Sequence, residues 1–128
     1  MKDIERLFDI LNQYEERYPE QKVALAIKRE GKWIEFSPRQ YKEITDNISY
    51  GLIKLGIAPG DRVGIISTNR PEWNMLDMAI MQIGAITVPI YPTISENDYR
   101  FILRTSWRKY SALPYCLSAP GQGKEALQ

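Results

Sequence analysis

Residues 60–93 read GDRVGIISTNRPEWNMLDMAIMQIGAITVPIYPT, and this stretch decides the fold. The apolar run at 63–66 is short and continuous, which is typical of a strand buried on both faces. Pro71 then opens a helix that is apolar almost all round, and Gly84 ends it. Residues 86–90 form a second buried strand. A strand, a helix and a strand within about 30 residues predict a βαβ unit with a parallel sheet.

A hairpin and a capped helix come before this unit. Two β-prone runs, residues 23–27 and 33–36, flank a glycine-bearing turn, so we expect a β-hairpin. Ser37 starts the next helix, because its side chain can cap the exposed amides while Gln40 completes a capping box. The apolar residues on one face of this helix are Tyr41, Ile44, Ile48, Leu52 and Leu55. Gly56 suits its carboxyl-terminal cap.

Further helices flank these elements on both sides. Apolar side chains at helical spacing predict a first helix over residues 3–17, and Ser95 is expected to cap a last helix. The inward-facing residues expected of the last helix are Tyr99, Ile102 and Leu103. The sequence divides into an α/β portion at 1–103 and a divergent tail at 104–128. Within the tail, residues 117–128 contain turn formers and few residues to bury, so we expect them to be poorly ordered.

The composition excludes several classes of protein. Lys and Arg total 17 and Asp and Glu total 16, so the net charge of +1 provides no cationic field for nucleic acid. No apolar run approaches the ~20 residues that span a bilayer, and we expect no signal peptide. One cysteine, Cys116, cannot form an internal disulfide, which favours a cytoplasmic setting. The chain has no histidine, which excludes histidine-dependent nucleophile systems and the usual zinc sites.

The loop at residues 67–72 is the main candidate site. It lies where a parallel strand meets the amino terminus of a helix, the usual place for ligands in α/β sheets. Backbone amides and the side chain of Arg70 could hold an anion there. A cap formed by Thr68 or Asn69, with Pro71 in the first turn, accounts for the same residues. We favour the capping role.

Other candidate motifs have simpler structural explanations. Residues 60–63 are interpreted as a tight turn, and the Met-rich helix at 72–83 as packed core rather than a ligand groove. The Gly-Gln-Gly-Lys run at 121–124 lacks the spacing of a phosphate-binding loop. The carboxylates of Glu15 and Glu16 converge on nothing. A basic stripe, which could meet acidic lipid but is favoured as a solvated surface, comprises Arg100, Arg104 and Arg108. We therefore assign no catalytic, cofactor-binding or metal-binding residue.

Three segments together carry a resemblance to a known family. They are residues 60–67, the Asn-Arg-Pro-Glu-Trp motif at 69–73, and residues 84–93, supported by the segment from Trp33 to Tyr41. They resemble the amino-terminal end of the AMP-forming acyl-CoA synthetases. Within that superfamily the chain is most similar to the long-chain fatty-acid–CoA ligases. The resemblance implies an α/β fold, the amino-terminal part of a large adenylating domain, with a β-hairpin, a βαβ unit and flanking helices.

The resemblance also implies an activity for the full-length family. A fatty carboxylate attacks the α-phosphate of ATP to give an acyl-adenylate and pyrophosphate, and the thiol of CoA then displaces AMP. Magnesium is an implied cofactor. The family's phosphate loop, its Tyr-Gly-x-Thr-Glu segment and its carboxyl-terminal lysine have no counterpart here. We therefore expect this chain to be a fragment that is inactive alone, with no family catalytic residue to carry over.

The tail bears on what kind of fragment this is. Lys109 and Tyr110 fall where the family has a Lys-Tyr pair, but residues 111–116 match poorly. We interpret the tail as the result of truncation or a frameshift. An alternative is a stand-alone interaction or regulatory module derived from the same scaffold. Since a partial sheet would leave a strand edge and helix faces uncovered, we also expect self-association.

Overall fold

The computed structural model describes residues 4–107 and 115–118 of the chain. Its elements in chain order are α1 (Asp9–Arg17), β1 (Leu25–Arg29), β2 (Lys32–Phe36), α2 (Pro38–Lys54), β3 (Arg62–Ile66), α3 (Pro71–Gln82), β4 (Ile86–Ile90), α4 (Glu96–Trp107) and β5 (Tyr115–Ser118). Strands β1 and β2 form an antiparallel hairpin, while the other strands form a parallel sheet in the order β4-β3-β5. The predicted α/β fold with a hairpin and a βαβ unit is confirmed.

Strand β3 is buried along most of its length, as predicted. It pairs in parallel with β4, with Val63 opposite Thr87 and Ile66 opposite Ile90. The prediction that β4 is also a buried strand is wrong for most of it: Ile86 is 48% exposed, and Ile90 alone of its residues is buried. The reason is position, since β3 lies between two strands whereas β4 lies at an edge of the described sheet.

Helix α3 supplies side chains to two apolar clusters. The first cluster contains Leu52, Ile57, Val63, Ile65, Ala79, Ile80 and Ala85, and the second contains Leu11, Tyr41 and Met75. Ile80 is fully buried and Met75 is 1% exposed, so the interpretation of this helix as packed core is confirmed for these residues. Burying one side chain of this size stabilises a fold by about 1.5–3 kcal/mol.

The predicted start of helix α2 is confirmed. Gln40 N donates to the Ser37 hydroxyl at 3.2 Å, and Ser37 N donates to the Gln40 side-chain oxygen at 2.9 Å. The predicted inward face is wrong at its carboxyl end, because Leu55 lies past the end of the helix and is 60% exposed. Two polar residues, Thr45 and Ser49, are buried on this face instead.

A chain of polar contacts joins α2 to α3. The Ser49 hydroxyl lies 3.2 Å from the Ala79 carbonyl oxygen and 2.7 Å from the Gln82 side-chain oxygen. Gln82 Nε2 in turn donates to the carboxylate of Asp46 at 3.0 Å, and Lys42 Nζ donates to the same carboxylate at 2.6 Å. The helix interface therefore combines apolar packing with directional hydrogen bonds.

The ends of the chain differ from the predictions. Helix α1 begins only at Asp9, whose carboxylate accepts the backbone amide of Arg6 at 2.9 Å and so stabilises a turn over residues 6–9. Ile4 and Leu7, predicted as helical, lie before α1 and are about half exposed.

At the other end, Ser95 caps α4 by accepting the amide of Asp98 at 3.2 Å, as predicted. Helix α4 continues past Arg104 to Trp107, and β5 pairs in parallel with β3. Strand β5 includes residues 117–118, and the expectation of poor order over residues 117–128 stays a prediction. Residues 119–128 lie outside the described part of the chain. The proposed division of the sequence at 103/104 stays a prediction.

Two loops meet tightly where α3 connects to β4. Gly84 has a φ of 75°, and a Cβ built on it would lie 3.2 Å from the Cβ of Pro59. Gly60 N donates to the Gly84 carbonyl oxygen at 2.8 Å, while the Asp61 carboxylate accepts the amide of Ala58. The interpretation of residues 60–63 as a structural turn is confirmed.

We expect Gly84→Ala to destabilise the chain by about 1–2 kcal/mol, because the new methyl group is strained by the positive φ and crowded by Pro59. The matched control is Gly51→Ala, in the last turn of α2, where a Cβ meets nothing within 4 Å. This control should gain about 0.5–1 kcal/mol. Urea unfolding followed by circular dichroism measures both, and equal effects of the two substitutions would contradict the packing at Gly84.

Tyr41 gives the fold a dependence on alkaline pH. Burial, followed by the nearby charge of Asp77 and by Tyr14, raises the pKa of the Tyr41 phenol to about 12. Its contribution to stability is therefore complete below the ordinary tyrosine pKa of about 10 and is lost as the pH rises toward about 12. Tyr41→Phe should remove this part of the fall in the free energy of unfolding at alkaline pH, measured by urea unfolding at a series of pH values. Tyr50→Phe, at a residue that is 71% exposed, should leave the pH dependence of the free energy of unfolding as it is in the native chain.

Candidate functional site

A groove opens at the carboxyl ends of β3 and β4. Its volume is about 580 Å³, and we call it the strand-end groove. Its lining residues are Ser67, Thr68, Asn69, Trp73, Pro89, Ile90, Tyr91, Pro92 and Thr93. The carboxyl edge of a parallel sheet is where α/β proteins hold ligands, because loops from neighbouring strands diverge there. The predicted candidate loop therefore forms one side of a real concave site.

The capping role favoured for Thr68 and Asn69 is wrong. The residue that precedes α3 is Arg70, in an extended conformation with φ −160° and ψ 156°, and its side chain forms no capping hydrogen bond. Within the described part of the chain, the side chains of Thr68 and Asn69 are not hydrogen-bonded to any residue. Both side chains line the groove instead. The groove thus has a polar rim whose hydroxyl and amide groups are available to a ligand.

The opposite wall of the groove is apolar and aromatic. Ile90 is buried at its base, Trp73 is half-buried, and the ring of Tyr91 is 78% exposed. The Tyr99 hydroxyl donates to the Tyr91 carbonyl oxygen at 2.9 Å, which fixes the chain where it leaves β4. An exposed ring beside an apolar floor suits a flat or apolar part of a ligand, while the rim suits its polar groups.

A cluster of charges lies at the amino terminus of α3, next to the groove. We call it the Glu72 cluster: the carboxylate of Glu72, the guanidinium of Arg29 on β1, and the guanidinium of Arg70. Arg29 Nη2 donates to Glu72 Oε1, and Arg70 Nε lies 3.5 Å from Glu72 Oε2.

The electrostatics of Glu72 follow from these partners. Partial burial, the largest influence, would raise the pKa of the Glu72 carboxyl. The backbone amide of the same residue, Arg29 and Arg70 outweigh burial and hold that pKa below its ordinary value. The anion beside these helix amides is therefore Glu72 itself, and Arg70 is paired with it. The sequence also left open that Arg70 holds an external anion. In the structure the Arg70 guanidinium is paired with Glu72 instead.

The other sequence candidates do not converge on the groove. Arg100 pairs with Glu96 at 2.6 Å on the exposed surface of α4, and Arg104 is exposed on the same helix. Arg108 and residues 121–124 lie outside the described part of the chain. Glu15 and Glu16 are exposed at the end of α1. No helix among the described residues is long and apolar enough to cross a membrane.

The residues present do not fit a magnesium ion. Mg²⁺ prefers oxygen ligands that include carboxylates, and none of the described residues that line the strand-end groove carries one. Across residues 4–107 and 115–118, no group of three or more Cys, Asp or Glu side chains is placed to hold a metal. We therefore derive no chemical step through magnesium from these residues.

Part of the groove was missed from the sequence. The loop after β3 was identified because it joins a parallel strand to a helix, and the same rule applied to β4 would have identified Tyr91, Pro92 and Thr93. No part in a site was expected of them from the sequence. Trp73 was assigned to a core helix and also lines the groove.

Comparison with known proteins places this fold. A family model described as AMP-binding enzyme matches residues 11–111. The chain belongs to this family. The match includes both strands that form the groove, the loops after them and the whole of α2 and α3. The resemblance noted in the sequence is therefore confirmed at the level of the family.

Individual relatives are similar over part of their length. The chain is 42% identical over 77 residues to the long-chain-fatty-acid–CoA ligase FadD15 of Mycobacterium bovis, covering 60% of this chain and 13% of that ligase. It is 32% identical over 89 residues to the mitochondrial medium-chain acyl-CoA ligase ACSF2 of Mus musculus, covering 70% of this chain and 14% of that protein. The chain thus spans about one seventh of the length of these curated relatives.

A solved structure shows the same fold. The crystal structure of IdnL1 superposes with a TM-score of 0.81 at 23% identity, over 99% of this chain and 25% of that one. This likeness extends over the hairpin, the βαβ unit and the flanking helices.

Proposed function

We propose that this chain forms the amino-terminal scaffold of a long-chain fatty-acid–CoA ligase. In that reaction a fatty carboxylate oxygen attacks the α-phosphorus of ATP and pyrophosphate leaves. The CoA sulfur then attacks the acyl carbonyl carbon, and AMP leaves as the thioester forms. The observation that carries the proposal is the 42% identity over 77 residues to a ligase of this name, beside a family match over residues 11–111 that includes both strand ends of the groove. Fatty acid, ATP with magnesium, and CoA are the proposed substrates and cofactor of the whole enzyme.

The role of the described residues in this enzyme is structural and substrate-facing. The strand-end groove offers an exposed aromatic ring at Tyr91, an apolar floor at Ile90, and hydrogen-bonding groups at Thr68 and Asn69. We propose that one substrate of the ligase contacts this groove. The described residues that line it include no lysine, arginine or carboxylate, which supports a role in binding rather than in phosphoryl transfer. The chain alone is therefore proposed to be inactive.

A chimeric ligase tests the proposal. The part of the Mycobacterium bovis relative that corresponds to residues 11–111 of this chain, the range of the family match, is replaced by those residues. We expect the chimera to form acyl-CoA from a long-chain fatty acid with strict dependence on ATP and CoA. Tyr91→Ala and Asn69→Ala in the chimera should each raise the KM of the same substrate by about threefold or more, the loss of one stacking or hydrogen-bonding contact.

The chain on its own provides the comparison. Its 128 residues should form no acyl-CoA, and calorimetric titration with ATP and magnesium should show no tight binding. Tight, specific ATP binding by the chain alone would overturn its proposed dependence on the rest of a ligase. A folded chimera that forms no acyl-CoA would overturn the proposed function itself.

We also propose that the chain alone self-associates. Strand β4 pairs only with β3 in the described sheet, and the side chain of Ile86 on it is 48% exposed. An open strand edge with apolar side chains favours pairing between chains. Sedimentation at micromolar concentration should show a dimer or a larger species, and a monomer at that concentration would contradict this. A cytoplasmic location and a peripheral membrane contact stay predictions.

A further inference from the structure

Helix α3 begins without a side-chain cap. The first amides of a helix have no partner within the helix, and a side chain just before it normally accepts one of them. Here Arg70 occupies that position and its side chain forms no such bond. Glu72 lies in the first turn instead, where its carboxylate places a negative charge that the helix dipole favours.

Two guanidinium groups from outside α3 contact the carboxylate of Glu72. Arg29, at the end of β1 and 43 positions earlier in the chain, donates to Glu72 Oε1. Arg70 Nε approaches the other oxygen, Oε2, at 3.5 Å. The Glu72 cluster therefore joins the hairpin, the last residue of the loop after β3 and the first turn of α3 at a single point.

The loop between these fixed points carries the polar rim of the groove. On one side Ile66 is buried in the sheet, and on the other Arg70 is held in the cluster. Thr68 and Asn69 lie between the two, and both line the strand-end groove without capping the helix. The two side chains of the types that usually cap a helix are therefore directed to the groove instead.

We propose that Arg29 and Glu72 are positioning residues that hold Thr68 and Asn69 at the rim of the substrate groove. The inference rests on the proposed function for the identity of the ligand, but the geometry of the loop depends only on the cluster. Both side chains of the Arg29–Glu72 pair are more than 40% exposed, so the pair contributes little to global stability. Its effect is local, on the loop and on the first turn of α3.

Amide hydrogen exchange on the full chain tests the positioning directly. Arg29→Ala and Glu72→Gln should each speed exchange in peptides that cover residues 67–73 by about threefold to fivefold, the size expected for one exposed ion pair. Exchange in β3 at residues 62–66 should stay unchanged. The matched control is Arg39→Ala, which breaks an exposed pair of the same residue types with Glu43 on α2. It should leave residues 67–73 unaffected.

Two results on the chain would overturn the proposal. One is unchanged exchange at residues 67–73 in both variants. The other is equal acceleration throughout the chain, which would mean that the Arg29–Glu72 pair acts only on overall stability. Arg29→Lys keeps the charge but loses the planar fork of donors, so its exchange rates should lie between those of the native chain and Arg29→Ala.

Kinetics in the chimeric ligase then test whether the positioning matters to a substrate. Glu72→Gln should raise the KM of the same substrate that Asn69→Ala affects, by about threefold, while kcat stays within about twofold. A fall in kcat with unchanged KM, or a KM effect on a different substrate, would overturn the link to Thr68 and Asn69. If the chimera is inactive, the proposed function fails, while the exchange pattern still decides whether the cluster holds the loop.

Discussion

The burial of β3 on both faces is the constraint on which the rest of the structure depends. Ile65 and Ile66 are adjacent in the strand and so point to opposite faces, and both are nearly inaccessible to solvent. Burial on both faces is typical of a strand in a parallel sheet, and parallel neighbours need a crossover, which covers one face of the sheet. Helix α3 is that crossover, and its apolar character follows from packing against both β3 and α2.

The elements that could be predicted are those whose determinants are close together in sequence. The capping box at Ser37 and Gln40 and the strand-helix-strand pattern need only neighbouring residues to be recognised. The start of α3 could not be predicted in the same way, because its stabilising carboxylate depends on Arg29, which lies far away in the sequence. Local rules favour Thr68 or Asn69 as the cap, and they have no means of weighing a contact made by another element.

Exposure was predicted less well than secondary structure for a similar reason. The apolar runs of β3 and β4 look alike in the sequence, yet only β3 has a strand on each side. The site shows the same limit: its location follows from the topology of a parallel sheet, but its contents depend on which loop side chains are left free by the packing around them. The family assignment adds what packing alone does not provide, since the sheet edge is common to many enzymes of unrelated chemistry.

The hydroxyl of Ser49 has a consequence for how α2 and α3 fit together. Apolar side chains tolerate a slide of one helix along another, since a displaced methyl group still packs against another apolar side chain. The Ser49 hydroxyl does not, because a slide of one helical turn, about 5.4 Å, would break its contacts with the Ala79 carbonyl and the Gln82 amide and leave only the Thr45 carbonyl of its own helix. These polar contacts therefore favour one alignment of the two helices over others that would bury the same area.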